Sequence, residues 1–244
     1  MAIEVFNRYE NKYILNEELF AKVQQEITNY MEPDAYNKLH GSYTISNIYY
    51  DTEDNRLIRN SLSKPKYKEK LRLRAYGVPE KESQVYLEIK KKFRGLVNKR
   101  RSALQLNEAY RFIETGITPT AREGQNQQVL REISYILQTN ELLPALYLAY
   151  DRCAYFGKSD GDLRISFDQN IRTRRYDLQL DKGDYGEALL PAGQWLMEVK
   201  SAESIPIWLC RLLSKHRIYP ISFSKYGTEY KQLLQRERKE EQYV

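Results

Sequence analysis

Four short segments alternate apolar and charged residues so strictly that they commit the chain to strands: Leu71-Arg72-Leu73-Arg74, Leu87-Glu88-Ile89-Lys90, Leu163-Arg164-Ile165-Ser166-Phe167-Asp168 and Met197-Glu198-Val199-Lys200. Strand side chains alternate faces, so each segment has one apolar face and one made almost entirely of Arg, Lys, Glu and Asp. The apolar face suits packing against helices. The charged face, repeated in strand after strand, predicts a closed barrel lined with cations and carboxylates. Two like charges about 8 Å apart repel by roughly 2 kcal/mol at an effective dielectric near 20, so such a lumen calls for an anionic resident.

Patterning elsewhere supports a β-rich α+β chain. Glu4–Leu15 reads as a first strand with Glu10 and Lys12 on one face, and Asn16 as the cap of a helix carrying Leu19, Val23, Ile27 and Tyr30 that ends before Pro33. Tyr43–Tyr50 is strand-like, and Asp51-Thr52 can cap a short helix through Leu57, Ile58 and Leu62. Tyr67–Tyr76 and Gln84–Phe93 form a hairpin, and Val97–Ala103 follows after Gly95, with Lys99 and Arg101 sharing a face. A mainly helical stretch from Asn107 to Gln138 reads as outer scaffold. Strands resume at Leu146–Phe156, Leu163–Ile171 and Gly193–Val199, then a last helix at Pro206–His216. Arg236–Gln242 reads as a solvated helix end. Each half of the chain has an Arg-bearing strand and then one ending in Glu, an apolar residue and Lys.

The 244 residues can bury a sizeable core, and with no linker in sight one domain over 1–244 is expected, its core at about 4–230 and a charged tail at 231–244. Twenty-one Tyr and seven Phe favour strands. A net charge of +6 favours an acidic ligand but is too mild for a nucleic-acid coat. Lys90-Lys91-Lys92 and Lys99-Arg100-Arg101 are split between lumen and exterior by strand alternation, which argues against nucleic acid. Cys153 and Cys210 read as small packing residues, without CxxC or paired His, so a reducing cytoplasm is the expected location. His40 and His216 read as surface or helix-end residues, and Trp195 and Trp208 as scaffold, while a tyrosine at the mouth of the lumen could stack on a base. No signal-like start and no apolar run of roughly 18 residues is present.

Arg binds phosphate oxygens as a fork and Lys as a point charge, both cationic at neutral pH. Carboxylates in the same lumen, Glu10, Glu88, Asp168 and Glu198, make sense as partners of those cations or as hard oxygen ligands for Mg²⁺ or Mn²⁺. Phosphoryl transfer needs mainly positioning and charge neutralisation, so no nucleophilic side chain is required. GxxxxGK[ST], GxGxxG and kinase signatures are absent, which leaves the charged strands to hold any nucleotide.

Taken together, Arg8-Tyr9-Glu10-Asn11-Lys12-Tyr13, Tyr50-Asp51-Thr52, the four charged strands, Tyr150-Asp151-Arg152 and Ser222-Phe223-Ser224-Lys225-Tyr226 resemble the VTC domain, the polyphosphate polymerase branch of the triphosphate tunnel metalloenzymes. The resemblance spans about residues 4–230. It implies an eight-stranded antiparallel β-barrel tunnel with helices outside, binding ATP or another nucleoside triphosphate and a divalent metal, and transferring the terminal phosphate onto inorganic polyphosphate. By position it implies catalytic roles for Arg72, Arg74, Lys90, Arg152, Arg164 and Lys200. Lys12, Lys99, Arg101, Ser224 and Lys225 are expected to bind the phosphate chain, and Glu198, with Glu88, Glu10 and Asp168, the metal. Arg8 replaces the first carboxylate of the Glu-x-Glu-x-Lys strand found in related hydrolases, which suits a polymerase. Ser222 replaces a lysine of the eukaryotic polymerases. The alternatives are a metal-dependent tripolyphosphatase or nucleoside triphosphatase and a non-catalytic polyphosphate sensor. Translocation of product would need a membrane protein partner.

Overall fold

The charged segments become central strands of one antiparallel sheet in the computed structural model, which describes residues 9–94, 96–122 and 125–242. Its strands are β1 (Tyr9–Asn16), β2 (Met31–Pro33), β3 (Tyr43–Asp51), β4 (Tyr67–Tyr76), β5 (Gln84–Phe93), β6 (Leu96–Gln105), β7 (Leu143–Gly157), β8 (Arg164–Arg174), β9 (Glu187–Ala188) and β10 (Gln194–Ser201). Helices are α1 (Glu17–Ile27), α2 (Ala35–His40), α3 (Arg56–Leu62), α4 (Leu106–Thr115), α5 (Gln127–Thr139), α6 (Ile207–Lys215) and α7 (Lys225–Glu241). The expected start of the first strand at Glu4, Arg8 and the turn at Gly95 lie outside the described residues.

Eight strands follow the path β1-β10-β8-β7-β3-β4-β5-β6, with β2 added to β7 and β9 to β8. Among the described residues the path's ends, β1 and β6, share no backbone ladder, so the expected closure is not made by backbone pairing. The sheet curls instead until Lys90 of β5 meets Glu10 of β1 at 3.6 Å. Ile221, from the segment before α7, donates its N–H to the Lys12 carbonyl on β1.

The apolar faces pack outward against helices. Leu71, Leu73, Leu87 and Ile89 join Phe112 of α4 and Leu130 and Ile133 of α5 in one core. A second core unites Ile165, Phe167, Met197 and Val199 with Phe20, Val23 and Ile27 of α1 and Leu209 of α6. A third fills one end of the concave face: Tyr49, Leu146, Leu148, Tyr150 and Leu196 pack with Ile58 of α3 and Tyr226 and Tyr230 of α7. The charged lumen is therefore partly plugged from that side.

Two local devices fix this arrangement. Where Tyr150 of β7 faces β8 the register shifts, and Asn170 adopts φ 48. Two residues on β8 then oppose one on β7, which is a bulge. Before it Arg164, Ser166 and Asp168 face the lumen; beyond it Ile171 and Thr173 do, and Arg172 and Arg174 turn outward. Asp51, fully buried, is the second device. It accepts the N–H groups of Thr52, Leu57 and Ile58 at 2.8–3.0 Å and the Tyr226 hydroxyl at 2.9 Å, tying α3 and α7 to β3. Asp51→Ala leaves these buried donors unpaired and is expected to cost about 2–4 kcal/mol in urea unfolding; a loss under about 0.5 kcal/mol would contradict this role.

The expected helix before Pro33 stops at Ile27, because Met31–Pro33 pairs with β7. Residues 235–240 are helical and exposed, as expected of the tail, but the helix that carries them begins earlier. Helix α7 starts at Lys225, with Ser224 accepting the Gly227 N–H. Tyr226, Tyr230, Leu233 and Leu234 recur at helical spacing and bury its inner face, a signal hidden by the strongly polar composition around them. Cys153 is buried as expected, whereas Cys210 is exposed on α6.

Candidate phosphate-binding lumen

Cross-strand register puts the charged residues on one concave surface. Glu10 faces Lys200, Lys12 faces Glu198, Lys200 faces Arg164 and Arg152 faces Asp168. On the other wall Arg72 faces Glu88, Lys70 faces Lys90, Lys90 faces Lys99 and Glu88 faces Arg101. With Arg74, and with Lys225 from the start of α7, eleven cations share this surface with four carboxylates. The formal excess exceeds the +6 of the whole chain, so the surplus positive charge is concentrated here.

The ions form two groups on facing walls. Glu198 is the centre of one: its Oε1 lies 3.3 Å from Lys12 and 3.0 Å from Lys225, and its Oε2 lies 2.9 Å from Lys200 and 3.4 Å from Arg152. Asp168 holds Arg152 through two bonds of 2.6 and 2.8 Å and Lys225 at 2.5 Å. Glu10 bridges Lys12 at 3.1 Å and Lys90. Glu88 is the centre of the second group, with Arg72 at 2.7 Å, Lys99 at 2.6 Å and Arg74 at 3.8 Å. Tyr150 joins the two, since its hydroxyl accepts from Arg74 at 3.2 Å while its ring lies 4.4 Å from the Lys225 ammonium and 5.0 Å from the Arg152 guanidinium. The sequence-expected residues thus come together, but as two facing groups and not as one file. Glu88 stands with the second group, apart from Glu10, Asp168 and Glu198. Arg101 and Arg164 lie at the rim.

Burial alone would raise the carboxyl pKa values, yet the surrounding cations hold Glu88, Glu198, Asp168 and Glu10 below the usual range. The field reaches neutral groups as well. Tyr49 and Tyr150, whose burial should push their phenols up, are lowered, Tyr49 chiefly by Arg72 and Tyr150 chiefly by Arg74. Burial pushes Lys70 down to about 8, with Lys90, Lys68 and Lys12 adding to the shift. It pushes Lys99 down to about 7 although Glu88 opposes it. These lysines are fully charged only below those values, and a bound anion favours the charged form. Affinity for a phosphate chain is therefore expected to be full below about pH 7 and to fall as pH rises through 8. Tripolyphosphate binding at pH 8 should take up protons, seen as a buffer-dependent heat in calorimetry; proton release would contradict the assignment.

Sequence reasoning missed Lys70 and Tyr49, and placed Tyr150 beside Arg152 in a motif without giving it a role in the site. Lys70 donates to Ser224 Oγ at 3.4 Å and lies 5.6 Å from the Tyr226 ring. Its signal was available, because Lys68 and Lys70 continue the alternation of Arg72 and Arg74. The outward halves of the basic runs behave as expected, with Lys91 and Arg100 both paired to Glu132 on the exterior.

Among the described residues no three His, Cys, Asp or Glu side chains converge to hold a metal. The donors nevertheless fit a hard cation. Mg²⁺ is commonly held by one or two carboxylates together with substrate phosphate oxygens and water, and Glu198 with Asp168 or Glu10 offers such oxygens beside the cations that would bind phosphate.

This curled antiparallel sheet with helices outside and a charged concave face is the fold of the triphosphate tunnel proteins. A candidate adenylate cyclase from Bacillus halodurans shares it, at 15% identity and a TM-score of 0.56, over 91% of this chain and 96% of that one. A candidate adenylate cyclase from Vibrio parahaemolyticus (14% identity, TM-score 0.46, 92% and 98% coverage) is also similar. So is a candidate adenylyl cyclase from Hippeastrum with a dominant triphosphatase activity (14%, 0.47, 92% and 94%). No curated protein sequence matches the chain. The sequence model of the VTC domain matches residues 7–234, and the chain belongs to that family. Among the described residues no helix is long and apolar enough to cross a membrane.

Proposed function

We propose that this protein is a metal-dependent polyphosphate polymerase that transfers the terminal phosphate of ATP onto a growing inorganic polyphosphate chain. One observation carries the reading: the cationic surface is longer than a triphosphate needs. Beyond the ion-paired centre the concave face of β4 and β5 continues through Lys70 and Lys90 to Lys68 and Lys92. Lys68 donates to the Ser61 carbonyl, and burial with Lys92, Lys90 and Lys64 nearby lowers its pKa. From Lys68 to Arg74 a strand spans about 20 Å. A polymer would use that whole length.

In this reading Arg72, Arg74 and Lys99 exchange Glu88 for phosphate oxygens on one wall, while Arg152, Lys200, Lys12 and Lys225 do the same from Glu198 and Asp168 on the other. The two walls hold donor and acceptor phosphates in line. A terminal oxygen of the chain attacks the γ-phosphorus, the bond from that phosphorus to the β,γ-bridging oxygen breaks, and ADP leaves. The attacking oxygen is already anionic, so no general base is needed. Mn²⁺ or Mg²⁺, held by Glu198 and phosphate oxygens, would supply neutralisation of the charge that builds up on the transferring group.

Purified protein with ATP and Mn²⁺ is expected to release ADP without a matching release of orthophosphate and to yield a product that runs as a ladder of chains on a gel. Stoichiometric orthophosphate without polymer would replace the proposal with a triphosphatase; binding without turnover would replace it with a sensor. Transport of the product across a membrane would require a partner that itself spans it.

A further inference from the structure

At one rim of the lumen the charged layer gives way to tyrosines on the concave face of three adjacent strands. Beyond Arg74 on β4 comes Tyr76, beyond Glu88 on β5 comes Tyr86, and at the start of β3 comes Tyr43, register partner of Arg152. Tyr36 of α2 completes the set. Its ring lies parallel to that of Tyr76, 5.7 Å between centroids, and 5.3 Å from that of Tyr43; Tyr76 meets Tyr86 edge-on at 5.9 Å. Tyr36 and Tyr76 remain 54% and 39% exposed, unusual for large rings gathered in a cluster.

The rim cations differ from those inside. Arg101 lies over the Tyr86 ring at 4.8 Å and has no ion-pair partner among the described residues. Arg164 has one ion-pair partner among the described residues, Asp34 at 3.9 Å, lies over the Phe156 ring at 5.0 Å, and its buried Nε–H meets no acceptor. Asp34 also accepts the Tyr43 hydroxyl at 2.9 Å and caps α2 through the Asn37 N–H, which fixes the turn that carries Tyr36. Two underused guanidinium groups thus stand between the ion-paired lumen and a platform of exposed rings. Charge followed immediately by aromatic surface matches a ligand that is anionic at one end and a flat π-system at the other.

We infer that this tyrosine rim is a nucleobase subsite, where the base of a nucleoside triphosphate stacks on Tyr36 and Tyr76 while its phosphates pass Arg101 and Arg164 into the lumen. The inference rests on the phosphate-binding reading of the lumen and adds a direction to it. The nucleotide enters at the tyrosine end, and the Lys68–Lys92 end, about 26 Å away along β4 at roughly 3.3 Å per residue, is left to the phosphate chain. Stacking tolerates any base but favours larger ones, so ATP and GTP should bind more tightly than CTP and UTP.

The test compares ATP with tripolyphosphate, which has the phosphates and no base, by calorimetry on wild type, Tyr36→Ala, Tyr76→Ala and Tyr36→Trp. The expected result is ATP weakened about tenfold in each alanine variant, retained in Tyr36→Trp, and tripolyphosphate affinity within twofold of wild type throughout. Equal weakening of both ligands would show that the rings only support the fold, and unchanged ATP affinity would show that the base lies elsewhere; either overturns the subsite while leaving the lumen intact. Wild type that binds neither ligand would overturn the lumen reading and the subsite with it. Because Tyr36 is more than half exposed, its variants are expected to fold, which unchanged far-ultraviolet circular dichroism would verify.

Discussion

Glu198→Ala is expected to destabilise the ligand-free protein by about 3–5 kcal/mol and to lower metal-dependent turnover by about 10²- to 10³-fold. The first effect follows from the position of Glu198 among four cations, Lys12, Arg152, Lys200 and Lys225, and the second from its proposed role as a metal ligand. Removing the carboxylate leaves those charges facing one another in a buried site. The effect on ligand should have the opposite sign. Glu198 competes with phosphate for the same cations, so metal-free tripolyphosphate should bind the variant at least as tightly as wild type and should restore most of the lost stability. Urea unfolding with and without tripolyphosphate measures the first part, and turnover with saturating ATP and Mn²⁺ the second. Retained turnover would remove Glu198 as a metal ligand.

Lys200→Met is expected to separate stability from binding in the other direction. Burial lowers the Lys200 pKa even beside Glu198, a sign that its charge is held at some cost. A methionine of similar length removes that cost, and Glu198 keeps three partners. Ligand-free stability should therefore stay within about 1 kcal/mol of wild type, while the lost charge-assisted contact should weaken tripolyphosphate by about 1.5–3 kcal/mol, roughly 10- to 150-fold. At a ligand concentration of a hundred times its own dissociation constant, wild type should gain about 2.7 kcal/mol of stability, and the variant much less at that same concentration. An equal gain in both proteins would exclude Lys200 from the site.

The strands were legible because each has an apolar face with helices to meet and a charged face with a lumen to fill. Tyr67–Tyr76 and Gln84–Phe93 match β4 and β5 residue for residue, since the alternation runs unbroken from one end of each to the other. The echo between the halves of the chain also has a physical counterpart: Glu88 and Glu198 each gather a set of cations on opposite walls. What sequence could not convey was the phase shift at Asn170, where the bulge turns Arg172 and Arg174 away from the lumen although the alternation of residue types continues. Lys225 was expected in the site, but not that it enters from a helix terminus between two walls, because strand periodicity carries no information on what plugs a curled sheet. A tyrosine at the mouth of the lumen was expected to be able to stack on a base, but which tyrosines stand there was not legible. A phenol on a strand reads as core, and only the register shows that Tyr43, Tyr76 and Tyr86 lie on the charged face at its rim.

The central claim is that this surplus of buried positive charge is a binding site for a phosphate chain, and calorimetric titration of wild type with tripolyphosphate in metal-free buffer tests it most directly. One site per chain, with affinity that falls steeply as salt is raised, is the predicted result. Absence of binding up to millimolar tripolyphosphate, in protein whose fold is intact by circular dichroism, would contradict the account.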